Sequence, residues 1–160
     1  MQPATGWRPQ QTMGSGREAA ARQRPIFLPL DLHAEWDLVV RVRCNLLLVG
    51  SSPTTNAMLV ALESHLRGPL QHYTPKTGVP VPQPLEGTLV LLEVARLDLE
   101  QQAQLLWWLD QFDERWQVQV VSTTSAPLFP LVETGAFLTS LYYRLNVVRM
   151  NLTSSGESLP

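Results

Sequence analysis

Residues Gly87-Thr-Leu-Val-Leu-Leu-Glu-Val94 form an apolar run that opens on a glycine and is broken near its end by one acid. A helix signal follows almost at once. Asp98 with Gln101 three residues on is a capping box, and Ala103, Leu105, Leu106 and Leu109 then fall on one broad arc at about 100° per residue. A run that is apolar at consecutive rather than alternating positions suits a strand buried on both faces, as in a parallel sheet. The same order recurs along the chain. Cys44-Asn-Leu-Leu-Leu-Val-Gly50 is a second such run. After it, Ser52 as cap and Pro53 as first helical residue predict a helix that Arg67-Gly68-Pro69 ends, with Leu59, Leu62 and Leu66 sharing a face. A third strand is expected over 118–123, short helices over 128–134 and 137–144, and a fourth strand over 145–150. Strands alternating with helices specify an α/β fold, an open and mostly parallel sheet flanked by helices.

The flanks read differently. Residues 1–24 are rich in Gln, Pro, Gly, Ala and Arg and nearly devoid of aliphatic side chains. They cannot bury enough surface to offset their ordering entropy, so a disordered tail is expected there, a folded domain over 25–152 and a frayed tail over 153–160. Ile26, Phe27 and Leu28 are expected to dock the chain onto the domain, ahead of a short helix from Asp31 or His33 through Trp36, Val39 and Val40. Residues 69–86 hold five prolines and read as a long irregular connection with at most a short strand, in which Lys76 is an exposed lysine.

A net charge of −2 gives no electrostatic footprint for nucleic acid, so no direct nucleic-acid partner is expected. The single cysteine, Cys44, forbids an internal disulfide and fits a reducing compartment. No signal peptide is visible, and no apolar run approaches the ~20 residues that cross a bilayer. A cytoplasmic location and no membrane partner are therefore expected.

In detail the order and the motifs resemble the P-loop NTPase-like core of AAA+ ATPases, and within them the sigma-54 interaction domain of bacterial enhancer-binding proteins. Members of that family typically read GTLFLDEV, LQAKLLRVL and FREDLYYRLNVV. This chain reads GTLVLLEV from Gly87, LEQQAQLLWWL from Leu99 and FLTSLYYRLNVV from Phe137. The resemblance covers about residues 44–152 and is strongest over 87–109 and 137–148. It implies the family's fold, but two of the family's parts have no counterpart. One is the GAFTGA-like loop that contacts the sigma factor, and the other is the PPLRER-like segment with the C-terminal helical lid.

The positions that carry the family's chemistry are those that depart. Its phosphate-binding turn reads about GESGTGKE, where this chain has Gly50-Ser-Ser-Pro-Thr-Thr-Asn-Ala57. Gly50, Ser52 and Thr54 match as a remnant nucleotide turn. Pro53 removes an amide donor, and Asn56 stands where the resemblance places the lysine that reaches the phosphates. The magnesium-ordering aspartate and catalytic glutamate of the second strand become Leu92 and Glu93. Glu93 remains as a remnant, or else caps or pairs at the sheet edge. The sensor strand's asparagine becomes Ser125. Arg144 matches an arginine that in the family reaches a neighbouring subunit's nucleotide, whereas an earlier arginine is Leu138. Without a nucleotide to meet, Arg144 is expected to pack its stem on Tyr142 and Tyr143.

Other chemistry is thin. His33, His65 and His72 have no metal-ligand spacing with each other or with Cys44, so no metal is expected. Ser51 and Ser52 do not sit in a G-x-S-x-G elbow. Asp110, Asp113 and Glu114 read as a solvated acidic turn, and Asn151-Leu-Thr153 as a glycosylation match without meaning in a cytoplasmic chain.

The expectation is a pseudo-ATPase with no cofactor, a catalytically inactive AAA+-like module that acts in bacterial regulation through protein contacts. A second reading is a residual sigma-54-dependent transcription regulator with weak ATP and magnesium binding. On either reading the partner is a protein, an AAA+ activator or another copy of this chain. Trp107 and Gln104 mark the candidate contact surface, since Trp107 falls outside the apolar arc of its helix where the family has arginine, and Trp108 falls at its border. Either the proline-rich connection or another protein covers Trp107. Because residues 1–24 offer almost nothing to a core, deleting them is expected to leave the thermal midpoint within a few degrees. A large drop would place Trp7 or the stretch from Arg17 to Arg24 against the domain.

Overall fold

The computed structural model describes residues 24–111 and 118–153. The tail expectations for 1–23 and 154–160, and Asp113 and Glu114 of the acidic turn, lie outside the described residues. A single 3-10 turn at Leu30–Leu32 leads into helix α1, His33–Val42. Then follow β1 (Leu46–Val49), α2 (Ser52–Leu62), β2 (Leu70–Tyr73), β3 (Gly87–Leu91), α3 (Leu99–Asp110), β4 (Val118–Thr124), α4 (Phe129–Glu133), α5 (Thr139–Leu145) and β5 (Val148–Asn151). The five strands form one sheet in the order β2-β3-β4-β1-β5, and every neighbouring pair is parallel.

Two cores result. On one face Leu47, Leu89, Leu91 and Val120 meet Leu105, Trp108 and Leu109 of α3 and Leu141, Tyr142 and Leu145 of α5. On the other, Leu46, Leu48, Val121, Val148 and Met150 meet Trp36, Val39 and Val40 of α1 and Met58 and Leu62 of α2. The consecutive leucines of β1 thus divide between two apolar layers, which is why the strand reads without alternation.

The fifth strand, β2, lies in the stretch expected to be irregular. Gln71 and His72 on it are exposed, so an edge strand of mixed polarity gave little period-two signal. It is set in register by Leu70 opposite Thr88 and Tyr73 opposite Leu91. Gly87 makes the approach feasible: its φ is +85°, and a Cβ there would stand 2.1 Å from the Pro69 carbonyl oxygen. Only glycine takes that conformation at that distance without strain.

Two details of the helices differ from expectation. Helix α2 begins one residue early, with Ser51 at its boundary and no side-chain cap; the Ser51 hydroxyl bonds Thr54 Oγ1 instead, at 2.8 Å. On α3 the capping box forms as expected, Asp98 Oδ1 accepting from the Gln101 amide at 2.8 Å and Gln101 Oε1 from the Asp98 amide at 3.1 Å. However, Ala103 is exposed and Leu106 half-buried, while Gln101 and Gln102 are buried. The arc is rotated because the box fixes the first turn and both glutamines find inward partners. Gln101 Nε2 donates to the carbonyls of Lys76 (2.8 Å) and Val79 (2.9 Å), pinning the proline-rich connection. Lys76 itself is exposed, as expected.

Gln102 has no exposed surface. Its Nε2 donates to the carbonyls of Leu97 (2.9 Å) and Ala136 (3.0 Å), and its Oε1 accepts the Leu138 amide at 2.8 Å. It therefore ties α3 to the start of α5. Gln102→Ala takes the partner from three backbone groups, that of Leu97 buried and those of Ala136 and Leu138 nearer the surface, and is expected to lower the unfolding free energy by about 1–3 kcal/mol. Urea denaturation measures this, and a change below about 0.5 kcal/mol would show that the tie is dispensable.

Candidate functional site

Ligands of open α/β sheets sit beyond the carboxyl ends of the strands, and here three such ends converge. Gly50 follows β1, Leu92 and Glu93 follow β3, and Ser125 follows β4. The Gly50 amide donates to the Thr124 carbonyl at 3.0 Å, and a Cβ on Gly50 would come within 3.1 Å of Leu152 Cβ. From Gly50 the chain enters α2 within two residues. The Thr55 amide closes back on the Ser51 carbonyl at 2.9 Å, and Pro53 in the first turn has no amide to offer. The turn is consequently short and already helical where a phosphate cradle needs a concave row of free amides. Thr54 and Asn56 are exposed on α2.

Glu93 occupies the left-handed region, with φ 53° and ψ 57°, a conformation in which a non-glycine residue is strained. Its carbonyl accepts from the Arg96 amide at 2.9 Å, and four further hydrogen bonds hold it. Its amide donates to Thr123 Oγ1 at 3.0 Å. Its Oε1 accepts from the Ser52 hydroxyl at 3.2 Å, and its Oε2 accepts from the amide (3.1 Å) and hydroxyl (2.9 Å) of Ser125. The carboxylate therefore bridges the turn after β1 and the end of β4. β3 is an interior strand, and beyond its carboxyl end Glu93 cross-links strand ends. Leu92 donates its amide to the Tyr73 carbonyl at 2.8 Å and brings no charge to the site.

Beside this turn lies a crevice of about 300 Å³ between Phe27, Pro29 and Asp31, the α2 residues Thr54 and Met58, and residues 151–153. Among the described residues its one charged lining group is the Asp31 carboxylate. With Glu93, the charged groups of turn and crevice are both anionic.

Arg144 is far from this edge. Its carbonyl accepts from Asn45 Nδ2 at 2.9 Å just ahead of β1, which places it at the opposite, amino end of the sheet. Its guanidinium pairs with Asp110 of α3, because α3 and α5 pack side by side. Trp107 is 61% exposed, and Gln104 is half-buried, lining a shallow recess together with Val79 and Pro80. Of the two covers considered for Trp107, the proline-rich connection is excluded. It is held lower on the helix by Gln101, with Val81 buried in the core.

Sequence reasoning missed the inward hydrogen bonds of Gln101 and the roles of Gln102 and Asn45. Asn45 receives the Val120 amide on Oδ1 at 2.9 Å while donating to Arg144. A polar residue set in an apolar run was the signal available. Among the described residues no group of three or more His, Cys, Asp or Glu side chains is placed to hold a metal ion, and no helix is long and apolar enough to cross a membrane.

Glu93→Ala removes three hydrogen bonds to one carboxylate and is expected to cost about 1–2 kcal/mol of stability, allowing for the partial exposure of the site. A change within about 0.3 kcal/mol in equilibrium unfolding would mean that the carboxylate bears no load.

Comparison with known proteins agrees with this geometry. A family model described as the sigma-54 interaction domain matches residues 41–154. The alginate biosynthesis transcriptional regulatory protein AlgB of Pseudomonas aeruginosa is 33% identical over 115 residues, which is 66% of this chain and 26% of that protein. This chain therefore spans about a quarter of the length of that curated relative. NtrX from Brucella abortus, solved in complex with ATP, superposes with a TM-score of 0.65 at 21% identity, over 88% of this chain and 39% of that one. The P-loop NTPase domain of an Escherichia coli sigma-54 transport activator gives a TM-score of 0.56 at 18% identity, over 70% of this chain and 98% of that one. These two likenesses establish the fold, a P-loop NTPase-like parallel sheet. With more than half its length matched by the family model, the chain belongs to the sigma-54 interaction domain family.

Proposed function

We propose that this chain is a catalytically inactive AAA+-like binding module, which works in a bacterial regulatory or adaptor role through protein contacts and without a nucleotide. The observation that carries the reading is Glu93. In the family the resemblance gives this position to the base that activates water, and a base must have its carboxylate free to reach a bound reactant. Here both carboxylate oxygens are engaged by Ser52 and Ser125.

The residues present do not fit magnesium nucleotide. Asn56 brings no positive charge, Leu92 no magnesium ligand, and Pro53 no amide. The charged groups around the turn, Glu93 and Asp31, repel phosphate. A helix N-terminus alone offers only a modest attraction for anions. Arg144 has an intramolecular carboxylate partner in Asp110, which supports a structural role for it. The second reading, a sigma-54-dependent regulator with weak ATP binding, draws on the crevice beside α2 and on NtrX having been solved with ATP. The like-charged lining of that crevice favours the first reading.

A cytoplasmic location and a protein partner related to the intact regulators belong to the same proposal. The expected outcome of an ATPase assay on the purified chain with magnesium is turnover at background. Removing one charge-stabilising group commonly lowers such rates by ~10²–10³, and here several are absent together. Turnover above background that disappears in Glu93→Gln would overturn the proposal.

A further inference from the structure

At the carboxyl ends of β1 and β5 a second recess opens, which shares no residue with the Glu93 tie. Its volume is about 140 Å³, and its lining includes Val49 of β1, Leu128 and Phe129 at the start of α4, Tyr142 of α5, and Arg149 and Asn151 of β5. The alternation of β5 sets the last two there. Val148 and Met150 enter the core beneath α1 and α2, so Arg149 and Asn151 project from the opposite face of the strand, the face whose core holds Tyr142.

Arg149 is exposed, and its guanidinium has no hydrogen-bond or ion-pair partner among the described residues. It is also the one charged group among the described residues that line the recess. Two acids lie in the neighbourhood. Glu133, one turn along α4 from Phe129, is exposed and does not line the recess, and the Glu93 carboxylate is taken up by Ser52 and Ser125. The carboxamide of Asn151 is already oriented. Its Oδ1 accepts from the amide of Thr153 at 3.1 Å and from the Thr153 hydroxyl at 2.5 Å, which leaves Nδ2 as a donor. Beside these donors the walls are apolar. Phe129 is 50% exposed, and its ring lies 6.2 Å from that of Tyr142, tilted by 58°.

We propose that this recess binds a small monocarboxylate with an apolar or aromatic body. The planar fork of a guanidinium matches the two oxygens of a carboxylate, and Asn151 Nδ2 supplies a neutral donor beside it. Phe129, Leu128 and Val49 then receive the body of the ligand. The same composition selects against other anions. Inorganic phosphate is strongly hydrated and finds no polar groups on the apolar walls to replace its water. A nucleoside triphosphate is too large, since sites for ligands of that kind begin at roughly 300 Å³. Ligands of open α/β sheets sit beyond the carboxyl ends of the strands, and this recess is the one at that edge that offers a cation.

The inference goes beyond the binding-module reading and does not depend on it, so the outcome of an ATPase assay leaves it unchanged. It is tested on the full 160-residue chain by titrating benzoate and following backbone amide shifts by NMR. Saturable shifts are expected at Val49, Leu128 and Asn151, with an affinity in the millimolar range of a fragment-sized ligand. Benzamide, which has the same ring without the charge, should bind about tenfold more weakly or worse. Arg149→Met, which keeps an apolar stem at an exposed position, should leave the spectrum folded and weaken benzoate by about tenfold or more. Benzamide binding as well as benzoate would show an apolar recess that does not read charge, and would overturn the proposal. So would phosphate producing the same saturable shifts, which marks a site for any anion. Shifts centred on Ser52 and Thr54, benzoate binding that Arg149→Met leaves intact, or no saturable shift at all would overturn it as well.

Discussion

Strand β1 has to bury side chains on both faces of the sheet at once, and most of the architecture follows from that requirement. Leu47 enters the core beneath α3 and α5, whereas Leu46 and Leu48 enter the one beneath α1 and α2. A parallel strand in this position cannot leave either face to water, so helices must cover both sides. The crossovers between parallel strands then bring every strand's carboxyl end to one edge. Gly50, Glu93 and Ser125 meet there as a consequence of topology, whatever chemistry they carry.

What occupies that edge is a structural tie. In an ATPase of this fold the same positions must stay free, because phosphates and water have to enter between them. In this chain the carboxylate of Glu93 holds Ser52 and Ser125, and the left-handed backbone of Glu93 is held by Thr123. Strained residues of this kind persist only where their surroundings over-determine them. On the water-facing side of α3, away from that edge, Trp107 and Leu99 stay exposed. A large exposed aromatic carries an aggregation liability, and burial against another chain offsets it.

The sequence made the interior strands and the capping box of α3 legible, because both rest on local signals: apolar runs of fixed length and a three-residue spacing. It also made legible the departures at Pro53, Asn56 and Leu92, since each substitution removes a specific group. Strand β2 was legible only as a short strand that residues 69–86 could hold, because Gln71 and His72 face water at the sheet edge and only pairing with β3 makes the segment extended. The inward turn of Gln101 and Gln102 was hidden for a related reason. A glutamine counts as polar in any periodicity, and its burial depends on carbonyls supplied from Val79 and Ala136, tens of residues away. The bridging role of Glu93 likewise needed the positions of three strand ends, which no linear motif contains. The partner of the Arg144 guanidinium was not legible either, because Asp110 approaches it only when α3 and α5 pack together.

The central claim is that the strand-end site has become structure and no longer recognises nucleotide. Ligand linkage tests it most directly, because any ligand that prefers the folded state must raise the unfolding free energy. At a concentration five times its dissociation constant the increase is roughly 1 kcal/mol. Urea unfolding of the chain with and without millimolar magnesium ATP is predicted to give superimposable curves. A rightward shift worth about 1 kcal/mol or more, abolished when Thr54 and Ser52 are replaced by bulky residues, would contradict the account.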